Sequence, residues 1–99
     1  MEAQKTDDSG IDVEPTIKTP AGHHHKIEIS LAWTIDQAIK VAADYFIDKG
    51  QLQAGDYNMV LVNPDGSTTE LVGTSRVQDY TVTDQSELDL IVAIPQVDG

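Results

Sequence analysis

Residues 34–50 read Thr-Ile-Asp-Gln-Ala-Ile-Lys-Val-Ala-Ala-Asp-Tyr-Phe-Ile-Asp-Lys-Gly. Thr34 is a good N-cap, and Gln37, three residues on, completes a capping box. Ile35, Ile39, Ala42 and Phe46 step by four, three and four residues, which draws one apolar stripe along a helix. Gly50 follows Lys49 and supplies the left-handed stop. The spacing predicts a helix over 35–49 with one face to bury. Tyr45 and Phe46 are neighbours, so only one points fully inward; Phe46 fits the stripe and Tyr45 falls at its margin.

What lies on either side supplies the other layer. Upstream, Val13, Pro15 and Ile17 alternate with Glu14, Thr16 and Lys18, and Ile27, Ile29 and Leu31 alternate with Glu28 and Ser30. Period-2 alternation of this kind marks strands with one buried face. Pro20-Ala21-Gly22 supplies a turn between them, so residues 13–31 read as a hairpin. Pro15 has no backbone donor, which places an edge or a bulge near it. Downstream, Asn58–Val62 reads as a central strand and Asn63-Pro64-Asp65-Gly66 as a turn. Thr68–Val72 reads as a short strand, 73–85 as mostly loop, and Leu88–Ile94 as a final apolar strand stopped by Pro95. The order is ββαβ(β)β, an α+β architecture with a mixed sheet and one helix packed across it. Pairing of the last strand beside the first makes a central parallel pair, which would bury Ile17, Leu88, Leu90 and Val92.

Residues 1–12 read as a disordered acidic tail, because they hold too little apolar surface to offset the entropy of ordering. The domain is expected over 13–95, with 96–99 a flexible C-terminal tail. There is no cysteine, hence no disulfide, thiol nucleophile or Cys-type zinc site. No stretch resembles a signal peptide or a membrane span, and a cytoplasmic protein is expected. Seventeen acidic residues face six basic ones, a formal charge of −11. Phosphate backbones and anionic membranes repel such a surface. It favours a partner with a basic face, or it serves only solubility.

The local sequence resembles the ubiquitin family. Lys18-Thr19-Pro20-Ala21-Gly22 is similar to its first hairpin, Ile27-Glu28-Ile29 to its second strand and Thr34-Ile35-Asp36-Gln37 to its helix start. Asp79-Tyr80-Thr81-Val82 and Ser86-Glu87-Leu88-Asp89-Leu90-Ile91-Val92 are similar to the approach and body of its last strand. The resemblance spans about residues 15–94 and implies a ubiquitin-like β-grasp. It implies that Tyr80 anchors its loop through the hydroxyl. It also implies a docking surface at Pro20, Val60, Asp89 and Ile91. Of the matches to the family's recognition patch, only Ile91 keeps its character. Asp89 would be an unpaired charge in an apolar contact, so ordinary ubiquitin receptors should bind poorly. Asp84 stands where the family has a chain-forming lysine.

Conjugated members of that family end in glycine, which an activating enzyme adenylates before transfer to a target amine. The resemblance therefore implies a protein modifier joined through Gly99, with Pro95, Gln96, Val97 and Asp98 as its arm. Glycine suits such a tail because it passes a narrow channel. This sequence has Asp98 where a second glycine is usual. The other reading is a non-conjugated adaptor or complex subunit that binds a basic protein partner, with Gly99 incidental.

No catalytic set stands out, and neither an enzyme nor a cofactor is expected. His23-His24-His25 has metal-ligand character, but successive strand residues point to opposite faces, so an exposed turn is the simpler reading. Asn63-Pro64-Asp65-Gly66 lacks the EF-hand ligand series and reads as a plain turn. Trp33 is either a binding anchor or a cover on the end of the core; its usual burial favours the cover. Ser75 and Ser86 have no histidine at a suggestive spacing.

Overall fold

A computed structural model describes residues 12–93. The helix α1, Ile35–Asp48, forms where its caps place it. The Gln37 N–H donates to Thr34 Oγ1 (3.2 Å) and the Thr34 N–H to Gln37 Oε1 (2.9 Å). The first two N–H groups, of Ile35 and Asp36, donate to the carbonyls of Ser75 (2.8 Å) and Gly73 (3.0 Å). The open donors of the helix start are thus met partly by a distant loop. At the other end Gly50 takes φ 73°. Its N–H donates to Ile47 O and that of Gln51 to Phe46 O, the double bond of a Schellman stop.

The strands are β1 (Asp12–Val13), β2 (Thr16–Lys18), β3 (His24–Lys26), β4 (Ile29–Ser30), β5 (Tyr57–Val62), β6 (Thr68–Glu70) and β7 (Glu87–Val92). Five form one sheet in the order β3-β2-β7-β5-β6, with β2 and β7 parallel at its centre and the other pairs antiparallel. This is the mixed sheet with one helix across it that the sequence led us to expect.

The expected hairpin over 13–31 is broken in both arms. β1 pairs with β4 as a separate two-stranded piece, and β2 pairs with β3. The cause is Pro15, which accepts from the Ile27 N–H but has no N–H to return. The gap is tied from outside. The Glu14 N–H donates to Asp84 Oδ1 (2.8 Å), and Lys26 Nζ donates to Glu14 O (3.1 Å) and Asp84 O (2.8 Å). Asp84, read as the replacement of a lysine, thus has a structural task here. Asp12, assigned to the tail from sequence, pairs with Ser30. Residues 1–11 and 94–99 lie outside the described residues, so the tail readings, Ile94 and the expected stop at Pro95 do too.

The core collects Ile17, Ile27, Ile29, Ile35, Ala38, Ala42, Phe46, Met59, Leu61, Leu71, Val77, Val82, Leu88 and Leu90. Two expectations need correction. Val92 is 59% exposed, because β2 ends opposite Asp89 and no strand covers β7 on that side beyond it. Ile39 is only half-buried, and Ala38 and Ala43 take inward positions that the stripe left out. Trp33 packs against the core, as a cover would.

The long segment between β6 and β7 is a built loop. Around the short 3-10 turn Val77–Asp79, Val77 and Gln78 donate to the carbonyls of Trp33 and Leu31. Arg76 Nη1 donates to Ala32 O (2.6 Å). Tyr80 Oη accepts from the Val72 N–H at 2.9 Å, the anchoring role expected of it. Tyr80→Phe removes that acceptor. The expected cost is about 1 kcal/mol of stability with faster amide exchange at Val72, read by denaturant titration and hydrogen exchange.

Candidate functional site: the open face of the sheet

Side chains alternate across a strand, so burial of Leu88 and Leu90 sends Glu87, Asp89 and Ile91 to the face away from the helix. The same logic sends Asn58, Val60 and Val62 there from β5. The register then sets out the face. One row crosses all five strands as His24, Lys18, Asp89, Val60 and Glu70. The row beside it holds Lys26, Thr16, Glu87, Val62 and Thr68. Ile91 stands opposite Asn58 on the far side, past the end of β2, and is 40% exposed.

Three of the four residues expected at a docking surface therefore meet on one face: Val60 directly opposite Asp89, with Ile91 two positions further along β7. Pro20 is not joined to them. It lines a groove of about 380 Å³ with Ala21, Leu52, Tyr57 and Val92, between the first turn and the segment after the helix.

Asp89 is the unusual group on the face. Its Oδ1 is buried with no hydrogen-bond partner. Its carboxyl is pushed up to about 6, first by burial, then by hydrogen bonding to and charge repulsion from Glu87, against a smaller pull from Lys18. Glu87 is an acceptor like Asp89 until one of the pair takes up a proton. Lys18 lies 3.8 Å from Glu87 Oε2, a loose and half-exposed ion pair. Sequence reading found Asp89 and passed over Glu87. The acid–apolar–acid triplet Glu87-Leu88-Asp89 was the available signal, because residues two apart on a strand share a face.

The raised value has a consequence for stability. Above about pH 6 Asp89 is ionised in both folded and unfolded chains, and only the folded one bears the cost of its poor surroundings. As pH falls through that value toward an ordinary aspartate's, the folded form protonates first and the cost disappears. Asp89→Asn is thus expected to stabilise the protein at about pH 8 by about 1–2 kcal/mol, a figure reduced because the group still meets water. The gain should shrink toward zero near pH 4. Parallel urea titrations of both proteins at the two pH values measure it.

The other candidates resolve into structural roles. His24 and His25 belong to β3, not to the turn, and lie on opposite faces. His25 stacks on Tyr45 with ring centroids 4.8 Å apart, and Lys49 Nζ sits 5.4 Å from the same ring. Among the described residues no three metal-ligating side chains converge. In the turn at 63–66, Asp65 Oδ1 accepts from the Ser67 N–H (2.9 Å) and hydroxyl (2.7 Å), which lowers its carboxyl below the usual range. Ser86 Oγ accepts from the Thr83 N–H, a local turn contact. No helix among the described residues is long and apolar enough to cross a membrane. Gly99 and the arm Pro95, Gln96, Val97 and Asp98 lie outside the described residues.

No family model matches the chain, and no curated protein does. Solved structures do match. The chain is similar to tubulin-binding cofactor B of Trypanosoma brucei, with TM-score 0.66 and 15% identity over 86% of this chain and 99% of that one. It is similar to a chain of the pParkin–pUb–UbcH7 complex, with TM-score 0.63 and 20% identity over 85% of this chain but 24% of that one. It is similar to a protein designed de novo on the basis of ubiquitin, with TM-score 0.66 and 14% identity over 92% of this chain and 100% of that one. At these identities the likeness establishes the fold alone.

Proposed function

The fold is a ubiquitin-like β-grasp, and we propose that this chain works by being bound through the open face of its sheet. The observation that carries the reading is the buried Asp89 Oδ1, which has no hydrogen-bond partner and lies between Val60 and the exposed Ile91. A surface that keeps an unsatisfied polar atom beside apolar side chains stands to gain free energy when a complementary surface covers it. No enzyme activity is part of the proposal, and no cofactor.

Within that reading the chain is a protein modifier. The last strand, β7, leads toward the C-terminal residues, and just after it the Ala93 N–H donates to Asp56 O at 3.0 Å. The residues after Ala93 reach about 20 Å when extended, long enough to present Gly99 to an activating enzyme. Asp98, beside the carboxylate to be activated, weighs the other way. The second reading, an adaptor or complex subunit, is favoured by the similar Parkin-complex chain, in which the matched unit is 24% of a longer polypeptide.

An N-terminally tagged chain with and without Gly99, expressed in the native host, separates the two. A modifier gives covalent adducts on denaturing gels that vanish when Gly99 is deleted. Absence of adducts from both forms, with one partner retained under native conditions by both, would leave the adaptor.

A further inference from the structure

The open face does more than expose a surface; its composition selects what can lie on it. Glu87 and Asp89 project from one strand two residues apart, and Glu70 ends the row that contains Asp89. Lys18, beside Asp89 on β2, is drawn toward Glu87 at 3.8 Å. Lys26, at the edge, spends its ammonium on two carbonyls, those of Glu14 and Asp84. So the Asp89 Oδ1 is short of a donor, and the apolar neighbours Val60 and Ile91 flank it on the sides where β5 and the end of β7 lie.

We infer that the open face seats a protein segment that carries an arginine among aliphatic side chains. The guanidinium caps the Asp89–Glu87 carboxyl pair, and the aliphatic flank lies on Val60 and Ile91. Three features select this occupant. The pair is two carboxyls on one face, and a planar guanidinium is the side chain that can donate to both at once. The chain's charge of −11 draws a basic partner and repels an acidic one. The apolar flanks reward a segment with aliphatic residues beside its charge, which neither a polyamine nor a bare cation supplies. The inference rests on the open face being the docking surface, and it holds for a modifier and an adaptor alike.

Such docking is linked to protons. Among the described residues, the charged or titratable groups that face Asp89 across the sheet are Glu87 on its own strand, Lys18 on β2, His24 and Lys26 on β3, and Glu70 on β6. A guanidinium on the pair favours the ionised Asp89 carboxyl, so binding releases the proton that Asp89 holds at mildly acid pH. Affinity therefore falls as the solution is acidified.

The test is a heteronuclear NMR titration of the full chain with a short peptide of alternating leucine and arginine, its ends blocked. The same peptide with citrulline for arginine serves as the neutral control. The expected result is a set of shifts centred on Val60, Asp89 and Ile91 at about pH 7.5, absent with citrulline. Binding should be about tenfold weaker or more in Asp89→Asn, with Glu87→Gln as a second variant that leaves Asp89 in place. Binding should also weaken on acidification to about pH 5 in the native chain, and this pH dependence should be largely lost in Asp89→Asn. Shifts scattered over Asp44, Asp48 and Asp56 on other surfaces, or equal affinity in both variants, would overturn the inference. Gly99-dependent adducts together with an unresponsive face would overturn it and leave the modifier reading intact. A responsive face without adducts would do the reverse.

Discussion

Phe46→Ala is expected to remove about 3–5 kcal/mol of stability and to leave a large part of the population unfolded at physiological temperature. Phe46 is the chain's only phenylalanine and is fully buried. It is held at the C-terminal end of α1, where Tyr45 meets its ring edge-on at 5.3 Å. The buried neighbours along the helix are mostly alanines, Ala38, Ala42 and Ala43, so the helix itself offers few side chains long enough to fill the vacated space. A cavity that cannot collapse carries the full penalty. Urea or thermal denaturation measures the loss; a change below about 1 kcal/mol would mean that the helix does not lie across the sheet through this residue.

Ile17→Ala is the second large effect, with an expected loss of about 2–4 kcal/mol and a different signature. Ile17 is fully buried at the centre of β2, between His25 on β3 and Leu88 on β7. Only three residues of β2 pair with β7, whereas β5 pairs with β7 over six. The N-terminal half of the sheet is thus attached through a short parallel seam, and Ile17 is its buried middle. Its truncation should open β2 and β3 before β5 and β7, so amides at His25 and position 17 should lose exchange protection ahead of those at Val60 and Ile91, which face each other's strand in the β5–β7 ladder. Uniform loss across all four would show that the sheet opens only as one unit.

These two residues also mark what the sequence could disclose. The helix was legible because its signals are local: Thr34 and Gln37 cap it, Gly50 stops it, and the stripe repeats within one element. β5 and β7 were legible for the same reason, since each is a mostly apolar run within its own length. The break at Pro15 was expected, but not its repair, because Asp84 and Lys26 come from far along the chain. Exposure of Val92 could not be read either: it depends on where β2 ends, a neighbour and not a property of Val92 itself. At the site, period 2 places Val60, Asp89 and Ile91 on one face only once the register with β5 is fixed. Pro20 was joined to them by resemblance, and the turn that carries it opens onto another groove. Glu87 was missed because an acid on an acidic chain draws no notice until its carboxyl is found beside another.

The open face holds one carboxyl oxygen, Asp89 Oδ1, without a partner, and the most direct measurement is the titration of Asp89 itself, followed by carboxyl-carbon NMR in the free protein. The expected midpoint is at about 6, above an ordinary aspartate's because burial and the neighbouring Glu87 disfavour the charged form. A midpoint at an ordinary aspartate's value, below about 4, would mean that Asp89 is already satisfied by solvent or by Lys18, and would contradict the reading of this face as a seat awaiting its partner.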